Sequence, residues 1–241
     1  MMLLNLGVSL PKLWPFFCFY GGKWRAAPHY PAPQHPIIVE PFAGAAGYSV
    51  RNYARAVVLN DIDPVIVGIW SYLIRATAAE IRALPTAFES TDDIQVPQEA
   101  KWLIGFWLNK ATTSPCKTPS IWSRNGIRPN STWCEIIKER IAYQVEFIRH
   151  WRIREGSYNT LGDIAATWFI DPPYNNAAGR LYRCKFTAFD ALADWARARQ
   201  GQTIVCENEG ASWLPFTHLG NFKSVQGKRG KGRSAEVIYV S

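Results

Sequence analysis

Short apolar runs punctuated by turn residues recur along this chain, and several of them end on an acid. Ile37 to Glu40, Ala56 to Asp61, Trp151 to Tyr158, Ala165 to Ile170, Thr203 to Cys206 and Glu236 to Val240 are too short for helices. They read as strands, most of them buried. Between them lie helical stretches from about Tyr48 to Tyr53, Pro64 to Ala79 and Phe186 to Gln200. Asp63 before Pro64 has the form of a helix N-cap followed by proline at the first helical position. Ile136, Ile137, Ile141, Val145 and Ile148 recur at helical spacing and predict a helix from Glu135 to His150. Alternation of strand and helix predicts an α/β fold with a mostly parallel sheet and helices on both faces. The alternation lapses between about Thr91 and Arg154. The expected organisation is one domain made of residues 1–90 and 155–241, carrying residues 91–154 as an insert.

The most informative strand end is Trp168-Phe169-Ile170-Asp171-Pro172-Pro173-Tyr174-Asn175. The residue before a proline is pushed to extended geometry, and two prolines in a row stiffen the adjoining chain. A carboxylate, a fixed carbonyl and a tyrosine ring are therefore held together at the carboxyl end of a strand, where open α/β sheets bind ligands. Asp171 and the Pro172 carbonyl suit the two hydrogens of an exocyclic amine, and Tyr174 suits the ring that bears it. A strand end followed by a rigid turn reads the same on these residues alone.

Two further stretches bear on the same chemistry. Ile37 to Glu40 runs into Pro41-Phe42-Ala43-Gly44-Ala45-Ala46-Gly47, a small-residue turn between a strand and a helix start. It lacks the Gly-x-Gly-x-x-Gly spacing of a dinucleotide site and suits an adenosine cofactor without a pyrophosphate. Asp61 ends the next strand at the distance from which an acid holds ribose hydroxyls; Asp63 is its rival, though it reads more readily as the helix N-cap. Nearer the N-terminus, Gly21-Gly22-Lys23 permits close approach of backbone to a ligand and adds a positive charge.

Charge adds a partner. With 27 Lys and Arg against 19 Asp and Glu, the chain carries a formal +8, which points to a polyanion, nucleic acid before a membrane surface. No stretch is long enough to span a bilayer. Lys101 to Cys134 contains Lys101, Lys110, Lys117, Arg124 and Arg128 and no Asp or Glu, interleaved with Trp102, Trp107, Trp122 and Trp133. That composition reads as a nucleic-acid-binding element. Lys228, Arg229, Lys231 and Arg233, spaced by glycines before the last strand, read as a hairpin tip that grips phosphates. Solvated basic loops are the plainer reading of both. The five scattered cysteines suggest free thiols in a reducing cytosol and no zinc site. The apolar N-terminus, broken by Pro11 and Pro15, is not read as a signal peptide.

Taken in order, these runs resemble the Dam-type, S-adenosylmethionine-dependent DNA adenine-N6 methyltransferases. The matching stretches are Phe19-Tyr20-Gly21-Gly22-Lys23, Val39-Glu40-Pro41-Phe42-Ala43-Gly44, Leu59-Asn60-Asp61-Ile62 and Asp171-Pro172-Pro173-Tyr174. The resemblance implies a Rossmann-like methyltransferase sheet and a target-recognition role for residues 91–154. It places S-adenosylmethionine against Phe19, Tyr20, Gly21, Gly22, Lys23, Pro41, Phe42, Ala43, Gly44, Asp61, Ile62 and Asp171, with Lys23 pairing with its carboxylate. Asp171, Pro172, Pro173 and Tyr174 would carry catalysis on a flipped adenine. Lys110, Lys117, Arg124, Arg128, Lys228, Arg229, Lys231 and Arg233 would contact DNA. A metal-free cytoplasmic enzyme acting on double-stranded DNA, monomeric or weakly dimeric, is expected, in a prokaryotic cell or a phage-infected host. Phe19 replaces the family's frequent tryptophan, Ala45-Ala46 replaces a further glycine, and an acid-aromatic pair before the catalytic strand survives only as Ser157-Tyr158.

Other readings differ in their predictions. A cytosine-C5 enzyme would use Pro115-Cys116 as its nucleophile and Glu207-Asn208 to hold the base, but Pro115-Cys116 follows a polar run and not a buried strand. Cytosine-N4 transfer shares the chemistry but usually has serine at the position of Asp171. A non-catalytic nucleic-acid-binding protein of the same fold would be expected to have lost one of Lys23, Asp61, Asp171 or Tyr174.

Overall fold

A computed structural model describes residues 10–124, 132–223 and 233–241. Its strands are β1 (Ile37–Glu40), β2 (Ala56–Asp61), β3 (Arg152–Glu155), β4 (Ala166–Ile170), β5 (Gly201–Asn208), β6 (Thr217–Lys223) and β7 (Arg233–Val240). β6 lies outside the runs read as strands, and the mostly exposed β3 covers only part of the stretch expected from Trp151 to Tyr158, which ends instead in a 3-10 turn, Tyr158–Thr160. The strands form a seven-stranded sheet in the order β3-β2-β1-β4-β5-β7-β6. The β3-β2-β1-β4-β5 pairs are parallel, while β7 runs antiparallel to both β5 and β6. This is a Rossmann-like methyltransferase sheet. After β1 the chain builds outward through β2 and β3, then returns to lay β4 on the other side of β1. The crevice between the carboxyl ends of β1 and β4 is therefore the topological switch point, the place such sheets offer a ligand.

Both faces of the central strands are covered, which is why they read as unbroken apolar runs. Ile38, Phe169, Ile204 and Cys206 point into the larger core, and Val39, Trp168, Ile170 and Val205 into a second one on the opposite face. The larger core takes α1 (Gly47–Arg51), α2 (Pro64–Arg75), α4 (Gln98–Leu108) and α6 (Glu135–Gln144). The smaller is closed by α7 (Phe189–Arg197), whose Phe189, Leu192, Ala193 and Ala196 form a helical stripe.

The helical stretch expected from Pro64 to Ala79 is two helices. Thr77 and Glu80 form a reciprocal capping box that starts α3 (Ala78–Arg82) after α2 has ended at Arg75. Asp63 caps α2 as its sequence predicts, its Oδ1 accepting the Val65 N–H at 2.9 Å. The helix expected from Glu135 to His150 ends at Gln144 and tightens into a 3-10 turn, Val145–Ile148.

Residues 91–154 contain a helix that the pattern does not show. α4 is buried nearly all round at its C-terminal half, from Leu103 to Leu108, so it has no polar stripe to reveal its period. It crosses α2 where Gly68 leaves room for the Trp102 ring; a Cβ there would lie 2.7 Å from it. Trp107 and Trp133 of this region are core residues. Trp107 is buried and donates to the Phe16 carbonyl at 2.8 Å, and buried Trp133 donates to that of Pro85 at 2.8 Å. Indoles committed this way do not present faces to bases. A short helix, α5 (Ile121–Arg124), follows α4.

Candidate functional site

The turn after β1 is built to expose backbone. Gly44 sits at φ +43° and Ala46 at φ +46°, in the left-handed region. Ala46 thus occupies a position that glycine fills more cheaply. Side chains from beneath hold the turn. Trp70 of α2, fully buried, donates to the Gly44 carbonyl at 2.8 Å, and Asn60 of β2 donates to that of Pro41 at 3.1 Å. Gly47 lies so close to the Lys23–Trp24 backbone that a Cβ would overlap the Trp24 amide. The Gly21-Gly22-Lys23 stretch and the glycine turn, far apart in sequence, are thereby packed against one another.

A cavity of about 930 Å³, open mouth included, fills the switch-point crevice. Every residue expected at a cofactor lines it: Phe19 to Lys23, Pro41 to Gly44, Asp61, Ile62 and Asp171. Glu40, Tyr158, Tyr182, Arg183 and Phe186 line it as well. Phe42 and Tyr158 stack at 5.6 Å between centroids, and Phe186 meets both edge-on. Tyr158, the surviving half of the acid-aromatic pair, is thus part of an aromatic wall. Tyr182 packs under Gly21 and its hydroxyl donates to the Tyr20 carbonyl at 3.3 Å. Arg183, in the polar loop after Asn175, pairs with Asp63 at 3.5 Å.

Two acids face this cavity without a cation among the described residues. Asp61 ends β2, and its carboxylate accepts the Gly44 and Asp63 N–H groups at 3.0 and 2.9 Å. Burial still pushes its carboxyl up to about 6, those hydrogen bonds pulling the other way. Glu40 ends β1 and accepts the Ser49 N–H at 2.8 Å. Burial drives it up to about 8 against the hydrogen bonds from Ser49.

Beside the cavity lies a buried charged corner. Lys23 Nζ is 2.9 Å from Asp171 Oδ1 and 3.3 Å from Glu236 Oε1, and it donates to the Gly21 carbonyl at 3.1 Å. It lies 4.6 Å from the centre of the Tyr174 ring, and the Tyr174 hydroxyl donates to Glu236. Lys23 and Glu236 are 7% and 5% exposed, so these charges see each other with little screening. Burial works against the Lys23 ammonium, but Asp171 and Glu236 outweigh it and raise its pKa. Burial pushes Asp171 up to about 6; Lys23 pulls it down and Glu236 adds to the rise. The resemblance gives Lys23 to a cofactor carboxylate, whereas here it has two protein carboxylates.

The corner is assembled from stretches of chain far apart in sequence. β7 runs opposite to β5, so Glu236 pairs with Asn208 at the ligand-binding edge. Glu207, one residue earlier on β5, accepts the Asn175 N–H at 3.0 Å and the Trp213 indole at 3.1 Å, which fixes the loop after Tyr174. Pro172 is buried and Pro173 lines the cavity.

The basic residues are dispersed. Lys110 and Arg124 are exposed, Arg124 donates to the Pro119 carbonyl at 3.2 Å, and Lys117 pairs with Asp92 at 2.8 Å. Arg128, Lys228, Arg229 and Lys231 lie outside the described residues, and Arg233 is the first residue of β7. Cys116 packs over Gly105 of α4 and does not line the cavity. Among the described residues no cluster of three or more His, Cys, Asp or Glu is arranged to hold a metal, and no helix is long and apolar enough to cross a membrane.

No protein-family model matches the chain, and no curated protein matches it. Among solved structures it is similar to one titled "Putative methyltransferase yhhF from Escherichia coli", with 10% identity, a TM-score of 0.34, and 85% of this chain and 74% of that one covered. At that score the likeness carries no argument, and the fold assignment stands on the strand order and direction.

Proposed function

We propose that this chain transfers a methyl group from S-adenosylmethionine to N6 of an adenine flipped out of duplex DNA. The observation that carries the reading is the charged corner itself: Asp171, held by Lys23 at 2.9 Å, at the switch point of a methyltransferase-type sheet and lining a cavity of fitting chemistry.

The cavity's donor set suits this cofactor. Glu40 is a buried acid that lacks a cation among the described residues, and an amino-acid ammonium supplies one. Asp61 suits ribose hydroxyls, and Phe42, Tyr158 and Phe186 with Ile62 form an apolar wall for a purine. Bound S-adenosylmethionine supplies an electrophilic methyl on a sulfonium.

The chain's residues do the rest by position and charge. Asp171 and the Pro172 carbonyl accept the two amine hydrogens and orient the nitrogen lone pair. The corner holds one ammonium and two carboxylates, so it carries a surplus negative charge when all are ionised. That surplus favours the positive charge that grows on the nitrogen. Extrusion of the base costs a few kcal/mol and is needed because N6 lies within the stack. The exposed Lys110 and Arg124, and the basic stretch before β7, would neutralise backbone phosphates.

Cys116, packed over α4, disfavours the C5 reading, which needs a thiol in the cavity. Digesting methylated duplex to nucleosides separates the possibilities. N6-methyladenine is expected; N4-methylcytosine would keep Asp171 at the centre with a different base, and C5-methylcytosine would overturn the assignment.

A further inference from the structure

Lys23 has one positive charge and two carboxylates in reach, at 2.9 Å and 3.3 Å. Only Asp171 is needed to touch a substrate amine at the strand end. Glu236 comes from the antiparallel strand at the other end of the chain and accepts the Tyr174 hydroxyl as well as facing Lys23. Nothing in the amine-holding chemistry requires a second buried acid, and burying one is costly unless it has a task there.

We propose that Glu236 is a positioning residue and stand-in counter-ion, which keeps Lys23 neutralised while Asp171 takes the proton released by the methylated amine. This rests on the methyl-transfer reading above. The amine lone pair takes the methyl group as its bond to sulfur breaks, the electron pair of that bond staying on sulfur. The nitrogen is then cationic, and one N–H proton passes to the Asp171 carboxylate. Asp171 becomes neutral. Lys23 would be left a buried, unpaired ammonium were Glu236 absent; with Glu236 it exchanges one partner for the other without leaving its place over the Tyr174 ring.

The groups around Asp171 are Lys23, Glu236, Glu207 of β5 and Glu40 of β1, with Tyr30, Tyr174, Tyr182 and Cys206 as neutral neighbours. Among the carboxylates other than Asp171, Glu236 is the one in contact with Lys23. Replacing it with a neutral amide removes a like charge from Asp171 and so lowers the pH at which Asp171 takes a proton.

The test is a carbon-13 carboxyl titration of Asp171 in the intact protein and in Glu236→Gln, which needs no turnover. The Asp171 midpoint should fall by about one pH unit or more in the variant. Alongside, the transfer rate on duplex DNA at pH 8 should drop at least tenfold while cofactor affinity holds, and the acid limb of the rate profile should move to lower pH. An unchanged Asp171 midpoint overturns the proposal. If Glu236→Gln does not fold, Glu236→Asp, which withdraws the carboxylate by one methylene, should lower the midpoint by a smaller amount, and no shift there is equally fatal. A shift in the variant together with a wild type that transfers no methyl would sink the methyl-transfer reading and leave the Asp171–Glu236 coupling standing.

Discussion

The charged corner and the basic surface use the same residue types in opposite ways. In the corner, Lys23, Asp171 and Glu236 are packed from distant stretches of chain, Lys23 and Glu236 buried and Asp171 partly exposed to the cavity, and fixed to within ion-pair distance. On the surface, Lys110 and Arg124 are exposed, and Lys117 pairs with Asp92 in open solvent. Burial makes each corner charge dependent on its partners, because an unpaired one has no water to fall back on. Exposure makes the surface charges additive, exchangeable and sensitive to salt. One region should respond sharply to single substitutions, and the other only to their sum.

The largest effect is expected at Asp171. Asp171→Ala should lower transfer by on the order of 10³-fold, the scale of losing a preorganised polar group at a reacting atom. Lys23 still has Glu236 at 3.3 Å, so fold and cofactor binding should survive; rates and calorimetry together check this. Lys23→Met should instead cost stability, roughly 3–5 kcal/mol, since it strands two buried carboxylates. Asp171 would then lose the cation that pulls its carboxyl down, so its ionisation would oppose folding more as pH rises, and urea unfolding should show a greater deficit at pH 8 than at pH 5.5. Equal loss at both would separate Lys23 from the corner.

Glu40 gives an effect of middle size with a definite sign. Its folded pKa stands at about 8, above the unfolded carboxyl value, so its ionisation opposes folding as pH rises from the ordinary range through 8. Glu40→Gln should therefore stabilise the free protein at pH 8, by on the order of a kcal/mol or more. In the native protein, cofactor affinity should climb between pH 6 and 8 as Glu40 ionises against the bound ammonium, and the variant should lose that slope in calorimetric titrations.

On the surface, Lys110→Gln should weaken DNA binding only a few-fold, with the slope of log affinity against log salt shallower by about 0.9 if one phosphate contact is lost. Its rate at saturating DNA should not change. A collapse of turnover from this single substitution would erase the contrast between the regions. The smallest effect belongs to Ala46→Gly, which relieves a left-handed alanine and should raise stability by up to about 1 kcal/mol, measured by thermal unfolding.

The features legible in the chain divide from the rest along physical lines. Local signals are legible: β2 runs from Ala56 to Asp61 as its apolar run suggests, and Asp63-Pro64 caps α2. The four stretches that carry the family resemblance converge on one cavity and its adjoining corner, because each sits on a strand end or a turn packed against one. Tertiary burial is not legible. Trp107 and Trp133 look like base-stacking residues in a basic sequence, and only the packing of α4 and α6 shows them as core. The second helix beginning at Ala78 is obscured by continuing apolar residues, although Thr77 and Glu80 carry its capping signal. Glu236 is hidden for a different reason: its place is set by antiparallel pairing with β5, and nothing near it in sequence announces an active-site partner.

The most direct measurement is single-turnover transfer of labelled methyl from S-adenosylmethionine into duplex DNA, by wild-type protein and by Asp171→Asn, with DNA and cofactor binding followed in parallel. Label should appear in adenine with the wild type and be lost by orders of magnitude in the variant, with both binding constants nearly intact. Transfer that survives the substitution would contradict the assignment of Asp171, and so the central role given to the buried corner.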